Sequence, residues 1–79
     1  MHAIIRNVQS VLFDGFVKEV VLPGEDGEFS IWDFHQTLLA RLREGDIILG
    51  LGKDMPKKIV HINSGVVKFE RSELAIMCL

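Results

Sequence analysis

The chain falls into short apolar runs, most of them rich in Val, Ile and Phe and bounded by Gly, Pro, Asn or Asp. That punctuation is characteristic of strands joined by tight turns. It predicts strands over residues 3–5, 8–13, 16–22, 28–31, 46–51, 57–63, 66–70 and 73–78. Alternation is clearest late in the chain, where Val67 and Phe69 are expected to face the core and Lys68 and Glu70 to face water. In the last strand Leu74, Ile76 and Cys78 share one face while Ala75 and Met77 share the other. Being apolar on both sides, it calls for a covered sheet or a neighbour.

One segment breaks the rhythm. In FHQTLLARLREG, residues 34–45, Leu38, Leu39 and Leu42 stand at helical spacing and Gly45 is placed to cap a helix end. A short helical turn near residues 36–43 and a further strand both satisfy this stretch. The rest predicts an all-β domain, a flattened antiparallel sandwich or barrel of about eight to ten short strands.

Size and charge narrow the picture. The 79 residues make a single domain, and the 48% hydrophobic content is high for so little interior, so some apolar surface is expected to meet a partner. A net charge of −2 argues against nucleic acid, whose phosphates need a basic surface. The lone Cys78 has no internal disulfide partner, and the N-terminus does not read as a secretory signal, which together favour a reducing compartment. The longest apolar runs, around Val20 and Ile47, are too short to span a bilayer.

Candidate chemistry is sparse. The stretch from Gly45 to Asp54, GDIILGLGKD, has the glycines of a phosphate loop but puts Ile47 in the first Gly position and Asp54 where Ser or Thr should hold magnesium; a β-hairpin connection accounts for it. Ser30, Asp33 and His35 lie close in sequence, but no glycine elbow marks Ser30 as a nucleophile. An Asp33–His35 hydrogen bond is compatible with an extended segment. His2, His35 and His61 are too scattered for a metal signature, and the acidic residues of the 25–28 loop lack the spacing of a calcium loop. No catalytic residue, cofactor or metal is therefore expected, and Cys78 reads as a small buried hydrophobe. The acidic loop, residues 24–28, remains as the main question.

Read as a whole, FDGFVKEVVLPGEDGEFSI, followed by His35 and LLARLREGDI, resembles the N-terminal domain of the epsilon subunit of F-type ATP synthases. The family motif runs approximately F-x-G-x-V-x-x-V-x-L-P-G-x-x-G-E-x-G-[VI]-L-P-G-H-x-P-L-L-x-x-L-x-P-G. Phe13, Gly15, Val17, Val20, Leu22, Pro23, Gly24, Gly27, Glu28, Ile31, His35, Leu38, Leu39, Leu42 and Gly45 fall on it without a gap. HINSGVVKFERSELAIMC resembles the family's final hairpin. The departures are Ser30 for Gly, Trp32-Asp33-Phe34 for the Leu-Pro-Gly before His35, Thr37 for the following Pro, and Asn63-Ser64-Gly65 for the Ser-Gly-Gly turn. They place two bulky aromatics, Trp32 and Phe34, in that loop, either as core filling or as exposed anchors.

The resemblance implies a non-catalytic central-stalk subunit of a proton- or sodium-translocating ATP synthase, at the cytoplasmic face of the membrane and associated with it only indirectly. It implies two partners, the gamma subunit and the membrane rotor ring of c subunits. Gly24, Glu25, Asp26, Gly27 and Glu28 would face the ring; Asn7, Trp32, Phe34, His35, Leu38 and Leu39 would lie toward gamma. The chain is expected to form one epsilon-type sandwich over residues 1–79, without the family's C-terminal helical hairpin. The alternative is a divergent sandwich serving as an interaction module outside the synthase.

Overall fold

A computed structural model describes all of residues 1–79. Nine strands and no helix make up the chain: β1 (His2–Arg6), β2 (Val11–Phe16), β3 (Glu19–Gly24), β4 (Gly27–Trp32), β5 (Leu38–Leu42), β6 (Gly45–Gly50), β7 (Lys58–Ile62), β8 (Gly65–Glu70) and β9 (Glu73–Cys78). Hydrogen-bonded neighbours run β2-β1-β9-β8-β5-β3-β6-β7, with β4 attached to the side of β3. Between β5 and β3 the ladder is a single residue pair, Gly24 opposite Leu42. There the sheet turns over on itself, so β2-β1-β9-β8-β5 faces β4-β3-β6-β7 as two layers. All pairs are antiparallel except β1 with β9, which run parallel.

The alternation predicted late in the chain sets the core. Val67 and Phe69 of β8 and Leu74, Ile76 and Cys78 of β9 are buried, and meet Val20 and Leu22 of β3, Ile31 of β4 and Ile47 and Leu49 of β6 from the other layer. Every core side chain is apolar, and no polar or charged residue is buried. The second face of β9 stays open: Ala75 and Met77 are exposed. Cys78 is the buried hydrophobe expected, its Sγ 3.5 Å from the Arg6 carbonyl oxygen, and burial pushes its thiol pKa up.

One open reading is decided by the structure and one strand boundary is corrected. No helical turn forms near residues 36–43; β5 occupies that stretch, pairing Leu38, Ala40 and Leu42 with Phe69, Val67 and Gly65. The apolar set of period two is Leu38-Ala40-Leu42, and Leu39, which completed the helical spacing, points out with 72% of its surface exposed. Gly45 is then no helix cap: it opens β6, where a Cβ would sit 2.7 Å from Pro23. The corrected boundary is that of the 8–13 run. Asn7 folds back into a turn, its Oδ1 accepting from the N–H groups of Gln9 and Ser10 at 2.8 and 2.7 Å. That Asx-type turn delays β2 to Val11 and leaves Val8 on its outer side, 82% exposed; β2 then runs on to Phe16, and β3 begins at Glu19.

Candidate functional site

The acidic loop is the tip of the β3–β4 hairpin. Gly24 and Gly27 face each other across Glu25 and Asp26, and Pro23 pairs with Glu28 just below. The two glycines are required for different reasons. Gly27 takes φ +137, a region closed to most side chains, while a Cβ there would touch nothing. Gly24 keeps an ordinary φ, contrary to the left-handed conformation that a Pro-Gly turn invites, but has no room: a Cβ would lie 2.5 Å from the Gly27 carbonyl oxygen and 2.7 Å from the Phe29 ring.

The tip is also braced from the other layer. The Glu25 N–H donates to the Arg41 carbonyl at 3.0 Å and the Arg43 N–H donates to the Pro23 carbonyl at 2.9 Å. These bonds tie the β3 side of the turn to the end of β5 and the residue just after it, at the point where the sheet folds over. Glu25, Asp26 and Glu28 stay exposed on this fixed backbone. An open cleft between the tip and β5 is lined by Gly24, Glu25, Asp26, Leu38, Leu39 and Arg41. Two residues expected toward gamma, Leu38 and Leu39, therefore share a cleft with the residues expected toward the ring. Asn7 also belongs to the tip's end of the sandwich, since β1 runs parallel to β9 and ends beside Met77, near the Gly65 and Leu42 row that leads to Gly24.

The remaining residues of the gamma set lie beyond the far end of β4. Trp32 and Phe34 do not fill the core; they are 55% and 96% exposed. Phe34 has φ +68, left-handed in a bulky residue. Asp33 and His35 do not bond each other. Asp33 pairs with the Met1 amino group at 2.8 Å, and His35 Nδ1–H donates to the Gln36 carbonyl oxygen at 2.8 Å while its ring meets the edge of Phe69, centroids 6.1 Å apart. The sequence did hold a signal for Phe34: it stands on the Gly of the Leu-Pro-Gly motif.

Two histidine clusters escaped the sequence reading because their members are distant in the chain. His2 on β1 reaches Asp14 of β2 through Nε2 and Glu73 of β9 through Nδ1, each at 2.7 Å. Serving two carboxylates at once requires both ring nitrogens to donate, so the bond to Asp14, then that to Glu73, raises the His2 pKa above 6.5. His61 Nδ1 lies 2.7 Å from Asp46, with Glu44 at 3.6 Å from Nε2, and its pKa is raised mainly by the Asp46 bond. Each cluster fastens neighbouring strands. No cluster of His, Cys, Asp and Glu is arranged to hold a metal ion.

The site and fold define a class: a small, nearly closed β-sandwich domain that presents a braced acidic hairpin. Within that class the chain belongs to the ATP synthase delta/epsilon chain β-sandwich domain family, whose model matches residues 1–79. It is similar to the ATP synthase epsilon chain of Sulfurovum sp. (strain NBC37-1), 41% identical over 63 residues, covering 80% of this chain and 48% of the relative. The ATP synthase epsilon chain of Campylobacter concisus (strain 13826) is 34% identical over 79 residues, covering 98% of this chain and 59% of the relative. This chain spans about half the length of such curated relatives. In fold it matches a chain of the Euglena gracilis mitochondrial ATP synthase OSCP/F1/c-ring structure, with TM-score 0.86 and 13% identity over 96% of this chain and 48% of that one. A chain of the Tetrahymena thermophila mitochondrial ATP synthase central stalk/c-ring structure gives TM-score 0.81 and 12% identity over 99% and 62%.

Proposed function

We propose that this chain acts as the epsilon-type central-stalk subunit of a proton- or sodium-translocating F-type ATP synthase. There it couples the gamma subunit to the membrane rotor ring at the cytoplasmic face, transmits torque and does no chemistry of its own. The observation that carries this reading is the family match across the whole chain. The geometry supports it. A coupler needs a stiff body, which the two-layer sandwich supplies, and a contact loop that keeps its shape under load, which the doubly braced tip supplies. Glu25, Asp26, Gly27 and Glu28, with Gly24 at the base, would meet the ring; Asn7, Leu38, Leu39 and the Trp32–His35 loop would meet gamma.

The test is assembly with detergent-solubilised gamma–ring complex. Wild-type chain should co-purify with it. Glu28→Gln should leave folding nearly intact, since exposed substitutions shift stability by about 0.5 kcal/mol or less. It should weaken association, and more at low salt than at high salt, because an exposed charge contact is screened. Wild-type protein that fails to associate with gamma would refute the proposed role; equal binding of both proteins would leave Glu28 a solvated charge.

A further inference from the structure

Phe34 combines two features that work against each other within the isolated fold. Its backbone is left-handed at φ +68, where a bulky side chain is a genuine outlier costing on the order of the price of a surface interaction or more. Yet its ring is 96% exposed, so no packing within the chain offsets that strain. The surroundings hold it in place. The His35 N–H donates to the Trp32 carbonyl at 3.2 Å, closing the turn around Phe34, and Asp33 on one side is tied to the Met1 amino group. On the other side the His35 ring is set against Phe69, a core residue of β8. The fold thus fixes the backbone on both sides of Phe34 and leaves its ring in water, with the half-exposed Trp32 two residues away.

We infer that Phe34 is a strained anchor, held out by the fold to enter an apolar pocket on the gamma subunit; this rests on the role proposed above. A ring presented on a fixed backbone loses little freedom on docking, and aromatic side chains, Phe among them, are enriched at the cores of protein interfaces. Chain charge favours a protein pocket over an anionic bilayer: the net charge is −2, and the residue before Phe34 is the acidic Asp33.

The experiment pairs stability with binding. Phe34→Asn suits a left-handed backbone and removes the ring; Phe34→Tyr keeps both ring and strain. Thermal unfolding of the chain should show the Asn variant as stable as wild type or more so, by up to about 4 °C for a domain this small. Its affinity for purified gamma should nonetheless fall at least about tenfold, while the Tyr variant binds within about threefold of wild type. Wild-type chain that does not bind gamma would remove the proposed role itself. If wild type binds and Phe34→Asn binds equally, the role stands and the anchor is refuted. A clear loss of stability in the Asn variant would make Phe34 structural, and so also overturn the inference. So would a loss confined to binding of anionic phospholipid vesicles, which would give the ring to a membrane surface.

Discussion

The β3–β4 and β8–β9 hairpins both close through two residues, Glu25-Asp26 between Gly24 and Gly27, and Arg71-Ser72 between Glu70 and Glu73. They reach that closure by opposite means. In the first, glycine takes the unusual backbone angle and two bonds, to Arg41 of β5 and to Arg43 just beyond it, fix the turn from outside. In the second there is no glycine: Arg71 and Ser72 themselves adopt φ +53 and +63, a conformation that L-residues enter only at a cost. Two like charges, Glu70 and Glu73, also face each other there. What compensates is lateral. Glu73 turns to His2, Glu70 lies 3.5 Å from Lys68, and the His2 N–H donates to the Ser72 carbonyl at 3.1 Å. The first turn takes its backbone angle from a glycine and a brace from the other layer, while the second forces ordinary residues into that angle and borrows its support from the strand beside it. The first should tolerate almost no change, and the second should have room for improvement.

The largest expected effect comes from breaking the glycine turn. Gly24→Ala should destabilise the domain by about 3 kcal/mol, because the new Cβ meets backbone 2.5 Å away, which cannot rotate aside. Denaturant unfolding measures it, and a loss near zero would mean that the tip is softer than its contacts imply. Gly27→Val should cost less, about 2 kcal/mol, since space is free and only the φ of +137 is violated. A cost exceeding that of Gly24→Ala would reverse the division of labour between the two glycines.

At the borrowed turn the sign should change. Ser72→Gly should stabilise by about 0.5 to 1 kcal/mol, the relief of left-handed strain less the added freedom of the unfolded chain. A destabilised variant would show that the Ser72 side chain itself holds the turn. The smallest effect is the pH dependence of the His2 clamp. With its folded pKa raised, protonated His2 contributes fully below its ordinary value of 6.5, and the contribution disappears as pH rises through the folded pKa. Stability should therefore decline as pH rises above that ordinary value and through the raised one, and His2→Gln should flatten part of that decline. His61, whose pKa is raised in the same direction, adds to the decline. An unchanged slope in His2→Gln would leave β8–β9 without its proposed support.

The sequence was legible where the information is local. Strands β8 and β9 follow from alternation alone, and the Pro23-Gly24 and Gly27 punctuation located the acidic tip. It misled where a small residue carried the pattern: Ala40 is the weak middle member of the Leu38-Ala40-Leu42 face, so the louder Leu38-Leu39-Leu42 spacing resembled a helix. Val8 misled in the opposite direction, being an apolar residue inside a turn directed by Asn7. The residues of the acidic loop were found, but not why they are rigid, because the brace comes from Arg41 at the end of β5 and Arg43 just after it, whose position depends on the whole sheet. The His2 clamp joins residues 71 positions apart, and no local pattern encodes it.

The parallel pairing of β1 with β9 has a consequence for the order of events on the way to the native state. As β1 leaves the ribosome it can form its hairpin with β2, but its other edge faces a partner that is synthesised last of the nine strands. Until β9 arrives, β1 and β8 each carry an unpaired edge in the middle of what will be one layer, the kind of edge that recruits a stray strand from another chain. The β9 insertion is the step that joins the first hairpin to the rest, and its contacts are among the longest-range in the molecule, so closing that seam has the greatest loop entropy to overcome. Nascent chains stalled before β9 should thus be the aggregation-prone species, and timely release of that strand the event that makes the domain safe.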